Sequence, residues 1–136
     1  MSWLERSIKW IMLVGGLVTA TTLYAFIAPS KALLSFFGES IEGPVADVVV
    51  RNWGFLIATV GALLVYGAFR PPARPLTLTV AIVTKAVFIG LVLAGPRSFL
   101  QHQAGPSVVF DSVLVLVFAL YLWGASRRRA PHRGAA

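Results

Sequence analysis

Among the polar side chains that fall within otherwise apolar stretches of the sequence, five could do chemistry together: Arg51, Asn52, Thr59, Lys85 and Asp111. Lys85 is the most demanding, because it sits in the middle of TVAIVTKAVFIGLVLAG, Thr79 to Gly95, a run apolar enough to cross a bilayer. A charge at the bilayer centre costs between about 2.5 and more than 10 kcal/mol depending on the scale, so this ammonium must face a protein interior or a hydrated cavity, or be neutral. Two chemistries suit the set. In the first, Lys85 with Asp111 as counter-ion forms a ligand, ion or proton site, Thr59 lies at a similar depth, and Arg51 with Asn52 completes a polar funnel open to the outside. Lys85 plus Arg51 against Asp111 leaves about one positive charge facing inward, which favours an anion. In the second, Asp111 and Lys85 serve as base and electrophile in an enzyme acting on a lipid or quinone.

Each residue also has a purely structural explanation. Helical side chains lean toward their own N-terminus. That direction carries the Lys85 ammonium away from Asp111, across an axial gap of roughly 8 Å at about 1.5 Å per residue. Lys85 then snorkels and is satisfied by hydroxyls and backbone carbonyls. Asp47 precedes Arg51 by four residues, an order that favours an ion pair on one helix face near the head groups. Asp111 suits either an early-turn carboxylate facing solvent or an inward partner for Arg51, which shares its depth.

The elements that position these residues are membrane helices. The 136 residues are 57% hydrophobic and 12% charged, with a mean hydropathy of +0.80, too apolar for a soluble domain of this length. Four runs reach the roughly 20 helical residues that a bilayer requires: Ile8 to Ala28, Val45 to Phe69, Leu76 to Ala94 and Val108 to Ala125. The expected fold is an all-α integral membrane protein, a four-transmembrane-helix bundle over residues 1–126 with a basic, solvated tail over 127–136. The first run follows Arg6 and Lys9 as a signal peptide would, but it exceeds the usual apolar core of roughly 7–15 residues, and Phe26 stands where a cleavage site needs a small residue. It reads as an uncleaved helix.

Between the first two spans, PSKALLSFFGESIEGP predicts a short interfacial helix capped by Ser30, with Leu33, Leu34, Phe36 and Phe37 on its apolar side and Gly38 at its end. Pro44 suits the first turn of the second span. The connection RPPARP, Arg70 to Pro75, is short enough to make spans two and three antiparallel neighbours. Lys and Arg beside the spans divide unevenly. Arg6, Lys9, Arg70, Arg74, Arg127, Arg128, Arg129 and Arg133 fall on one side, against Lys31, Arg51 and Arg97 on the other. The asymmetry places both termini in the cytoplasm.

Gly54, Ala58 and Ala62 recur at every fourth residue of the second span, as Gly16 and Ala20 do in the first, which predicts a close-packed seam inside the bundle. Cysteine is absent, so disulfides, thiolate metal sites and thiol relays are excluded. No intramembrane His pair, His and carboxylate cluster or phosphate-binding glycine loop occurs, so neither cofactor nor metal is expected. His102 and His132 read as surface residues. The positive charge of +7 reads as topological, with no nucleic-acid partner.

From AFIAPSKALLSFFG through VVVRNWGFLIATVGALLVYGAFRP to IVTKAVFIGLVL, the chain resembles small bacterial four-helix membrane families that include the DoxX-like group. Pro29, Arg51, Asn52, Gly54, Gly61, Pro71 and Lys85 carry the resemblance, which implies a four-helix bundle and no settled activity. It is also similar in size and span count to the small multidrug exporters, but those depend on a carboxylate in the first span, and Trp10 to Ala28 contains none. The expectation is a multi-pass inner-membrane protein in which Arg51, Asn52, Thr59, Lys85 and Asp111 bind or pass a small or amphiphilic, anionic ligand. The rival expectation is an accessory or scaffold subunit that docks another membrane protein or a second copy through its small-residue faces.

Overall fold

The computed structural model describes residues 3–133, with side chains as far as Arg128. Six α-helices follow one another: α1 (Trp3–Ala20), α2 (Leu23–Ile27), α3 (Pro29–Phe37), α4 (Pro44–Phe69), α5 (Arg74–Ala94) and α6 (Ala104–Arg133). Single 3-10 segments, Pro71–Ala73 and Arg97–Gln101, precede α5 and α6. Four stretches are long and apolar enough to cross a membrane, namely Trp3–Ile27, Pro44–Phe69, Pro71–Ala94 and Ala104–Arg128. This is the pattern of a multi-pass membrane protein.

The first of these stretches is longer than expected, starting at Trp3 rather than Ile8, and it is not one helix. Thr19, Thr21 and Thr22 turn their hydroxyls back onto the carbonyls of Gly15, Val18 and Thr19 at 2.7, 2.5 and 2.6 Å. The backbone N–H groups of Thr21, Thr22, Tyr24 and Ala25 each donate three residues back, to Val18, Thr19, Thr21 and Thr22. Hydroxyls that compete for helix carbonyls tighten and bend the ladder. The break separates α1 from α2 at the level where the cavity described below begins.

Pro29 opens α3 at the position where its missing N–H costs nothing. Ala28 precedes it as the capping residue without a side-chain bond, so Ser30 lies inside the helix and is not its cap. Gly38 ends α3 in the left-handed region, φ 78°, as a helix terminus of this type requires. At the other end of the bundle Arg74 closes α4: its Nε and Nη2 donate to the Gly67 and Ala68 carbonyls at 3.1 and 2.8 Å, satisfying two groups that a helix end leaves open.

α4 is the central strut. It lies along α1 and α2 on one side and α5 on the other, and α5 in turn lies along α6. A Cβ placed on Gly61 would stand 2.5 Å from the Gly16 carbonyl and 2.6 Å from the Ala20 nitrogen, so the backbones of α1 and α4 meet there. Gly54 meets α2 in the same way, at Thr22 and Ala25. The seam is internal, and it runs through Gly54 and Gly61, with Ala62 exposed rather than packed. A seven-residue spacing keeps two positions facing the same neighbour better than eight does.

Apolar side chains from all four spans fill one half of the bundle: Ile8, Met12, Leu64, Ala68, Leu78, Ala81, Leu114 and Phe118 are buried together. The ends nearest this core carry Lys9, stacked at 5.3 and 5.0 Å over Trp10 and Phe69, and Arg127, at 4.8 Å over Trp123. Glu5 and Arg128 form an ion pair that joins the first helix to the last. α6 itself continues to Arg133, into the segment expected as a solvated tail. Residues 134–136, and the side chains of Arg129, His132 and Arg133, lie outside the described residues.

At the opposite end the helices are bridged by aromatic rings. Phe36 meets Trp53 edge-on at 5.8 Å, and Phe37 meets Phe99 at 5.1 Å. The Gln103 N–H donates to the Ser35 carbonyl at 3.0 Å, tying the last connection to α3. His102, exposed as expected, packs over Gly38, where a Cβ would collide with its ring.

Candidate functional site

Lys85 projects from α5 into the bundle and is 6% exposed. Its Nζ donates to Asp111 Oδ1 at 2.8 Å and to Thr19 Oγ1 at 3.0 Å. Three separate spans therefore meet at one ammonium. The direct ion pair contrasts with the 8 Å axial gap expected between them, and the reason is where α6 begins. Gly105 and Pro106 read as connection, yet a proline in the first helical turn gives up no hydrogen bond, and the Ser107 N–H already donates to the Gln103 carbonyl at 3.1 Å. Because α6 starts at Ala104 rather than Val108, Asp111 lies a full turn deeper. The remaining offset of two residues is about 3 Å, which the lysine stem spans without an unusual tilt.

Thr19 completes the set and was not among the residues singled out in the sequence. Its hydroxyl hydrogen goes to the Gly15 carbonyl at 2.7 Å, so its oxygen meets Lys85 purely as an acceptor. The Thr19-Ala20-Thr21-Thr22 cluster in an apolar helix was the available signal. With the lysine and the aspartate paired and the hydroxyl satisfied, no buried side-chain nitrogen or oxygen among the described residues lacks a partner. Such completeness is what allows an ion pair to persist away from water.

The pair borders a cavity of about 240 Å³. Thr19 and Thr22 of the first span, Trp53, Ile57 and Val60 of α4, Thr84 and Phe88 of α5, and Ser107 and Phe110 of α6 line it, with Phe36 of α3 at one edge. Val18, Thr21, Thr84, Gln103 and Pro106, also in the lining, are exposed and mark where the cavity meets the outside of the bundle. Toward the other end it stops at the buried core around Met12, Leu64 and Leu114. Its volume falls just below the roughly 300–1,000 Å³ of sites for drug-sized ligands. A small molecule, or the head of a larger amphiphile, fits; a whole lipid does not.

Arg51, Asn52 and Thr59 stand elsewhere. Arg51 Nε pairs with Asp47 Oδ2 at 2.9 Å, and its Nη1 donates to the Phe26 carbonyl at 2.5 Å. Asn52 is exposed, and the exposed Thr59 hydroxyl donates to Phe55 of its own helix at 2.9 Å. None of the three lines the cavity. The Arg51 to Asp111 pairing expected as an alternative does not form. This changes the charge count, since within the cavity Lys85 and Asp111 cancel and the surplus positive charge disappears. Among the described residues no group of three His, Asp or Glu side chains is placed to hold a metal ion.

Comparison with protein-family models, with curated proteins and with solved structures finds no match for the chain.

Proposed function

We propose that the chain is a small inner-membrane protein that binds a small amphiphile in the cavity beside Lys85, with both termini on the cytoplasmic side. The carrying observation is the buried Lys85, Asp111 and Thr19 set at the wall of a cavity whose remaining lining is aromatic and aliphatic side chains interspersed with uncharged hydroxyls and Gln103. Lys85 has three N–H donors and the protein engages two. The third suits an acceptor on the ligand, while Phe88, Phe110 and Trp53 suit its apolar part. The close-packed apolar core around Met12 and Leu64 favours binding over passage, because a through-path would require that core to part.

The rival scaffold reading depended on small-residue faces for a partner. Gly16, Gly54 and Gly61 are occupied by the internal seam, and among the helical glycines only Gly90 and Gly124 of the described residues face open space. The DoxX-like resemblance is compatible with the binding reading and adds no chemistry to it.

Photolabelling tests the proposal. A diazirine-bearing benzyl alcohol, added to the detergent-solubilised chain, is expected to label Thr19–Thr22, Phe88 or Phe110, and unlabelled benzyl alcohol is expected to compete. Labels spread over outward-facing residues alone, without competition, would sink the reading.

A further inference from the structure

The cavity holds two ionisable groups, and their charges sum to zero. From α5 comes Lys85 and from α6 comes Asp111; the first span contributes only Val18 and threonine hydroxyls, and α3 and α4 contribute only Phe36 and uncharged α4 side chains such as Trp53. Adding a lone anion would leave an uncompensated negative charge between apolar walls, which is among the costliest arrangements a protein can hold. An anion therefore needs a cation that travels with it. We infer that the cavity takes a monoanionic, carboxylate-headed amphiphile together with one proton, Asp111 receiving the proton and releasing Lys85 to the ligand. This rests on the binding reading of the same cavity.

Three features of the geometry suit the exchange. Asp111 Oδ1 holds Lys85 at 2.8 Å, while Oδ2 has no hydrogen-bond partner in the protein among the described residues. Since no buried side-chain oxygen is left unsatisfied, Oδ2 has accessible surface of its own, and Asp111 lines the cavity, so Oδ2 can gain a proton before the ion pair parts. Second, Thr19 keeps its grip on Lys85 as Asp111 lets go. With its own hydrogen committed to Gly15, the Thr19 oxygen can only accept, so it keeps the Lys85 Nζ in place for the incoming carboxylate. Third, Gln103, just before the helix that carries Asp111, and Pro106 in its first turn are exposed and line the same cavity, which gives the proton a route from water.

The balance closes. One O–H bond forms on Asp111 with a proton drawn from bulk water, the Lys85 to Asp111 contact is exchanged for Lys85 to ligand carboxylate, and the occupied site carries the same zero charge as the empty one. A neutral alcohol of the same shape binds by the third Lys85 donor alone and moves no proton.

Calorimetric titration of the full chain in detergent micelles, with benzoate and benzyl alcohol as probes and in buffers of different ionisation heat, counts the protons directly. Benzoate is expected to bind with uptake of one proton, its affinity falling about tenfold from pH 7 to pH 8. Benzyl alcohol is expected to bind with none and with a flat profile. Asp111→Asn should bind benzoate without proton uptake and without pH dependence. Infrared difference spectra of the unmodified chain give a second measurement that needs no variant: benzoate should raise a protonated carboxyl band, and benzyl alcohol should not. Benzoate binding with no proton taken up and no such band overturns the inference and leaves the binding cavity standing. Failure of both probes to bind removes the cavity reading itself.

Discussion

The Lys85 ammonium and the Thr19 hydroxyl lie 3.0 Å apart although 66 positions separate them in the chain. They connect the first span to the third across the point where α1 breaks. Thr19→Val removes the acceptor and keeps the shape, so benzyl alcohol binding should weaken about tenfold as Lys85 loses its fixed position, equal to roughly the 1.4 kcal/mol of a single hydrogen bond to a charged group. Thr19→Ser should restore it. Equal affinities for the Val and Ser variants in the same titration would show that the hydroxyl has no part in the site.

Stability of the ion pair is expected to be strongly non-additive. Lys85→Met leaves Asp111 buried without a partner, and Asp111→Leu does the same to Lys85, each costing about 3–5 kcal/mol. The double variant should recover most of that loss, because two apolar side chains of similar volume suit the apolar walls. Unfolding in increasing dodecyl sulfate, followed by circular dichroism, reads all three. Additive losses would mean that the two residues are stabilised independently.

The glycines divide into tight and open positions. At Gly61 an added methyl group would meet backbone atoms at 2.5 and 2.6 Å, which cannot give way as a side chain can. Gly61→Ala should cost about 1–3 kcal/mol by overpacking, and Gly61→Leu should prevent assembly. Gly90 faces open space within its helix, so Gly90→Ala should be neutral or stabilising by up to about 1 kcal/mol. Thermal unfolding of the two alanine variants compares them directly.

Arg74 carries the α4 terminus. Arg74→Ala exposes the Gly67 and Ala68 carbonyls and should destabilise the chain by about 1.5–3 kcal/mol. Hydrogen exchange should quicken over the last turn of α4 and leave α1 unchanged. Protection lost evenly along the whole bundle would point to global destabilisation rather than a lost cap.

Both termini are expected in the cytoplasm. The absence of cysteine makes the measurement clean, because one introduced thiol has no background. In intact cells a membrane-impermeant maleimide should label Gln103→Cys and spare Arg70→Cys. The reverse pattern would invert the orientation.

How far the sequence could be read depended on what each feature required. Span number followed from apolar length, and Gly38, Pro44 and the Asp47 to Arg51 pair followed from local rules that need no knowledge of neighbours. The prominence of Lys85 followed from the energetics of charge in hydrocarbon. Asp111 was legible as its counter-ion, and the pair forms; the axial gap set against it came from the reading of Gly105 and Pro106 as connection, which placed Asp111 a turn too shallow. Thr59 was grouped with Lys85 by similar depth and Asn52 with Arg51 as a shallower funnel, and depth says nothing of the direction a side chain faces. The break at Thr21 was hidden because threonine is apolar enough to continue a span while its hydroxyl competes for the ladder.

The contact of Gly16 with Gly61 has a mechanical consequence for the cavity. Where two backbones touch, neither helix can approach or turn without collision, so the wall made by α1 and α4 acts as a fixed jaw. α6 meets α1 along only a short stretch and closes its side with the ring of Phe110 and the paired Asp111. Any change in the breadth of molecule admitted must therefore come from α6 and α5, and ring substitutions at Phe110 and Phe88 are the places where its gauge would be reset.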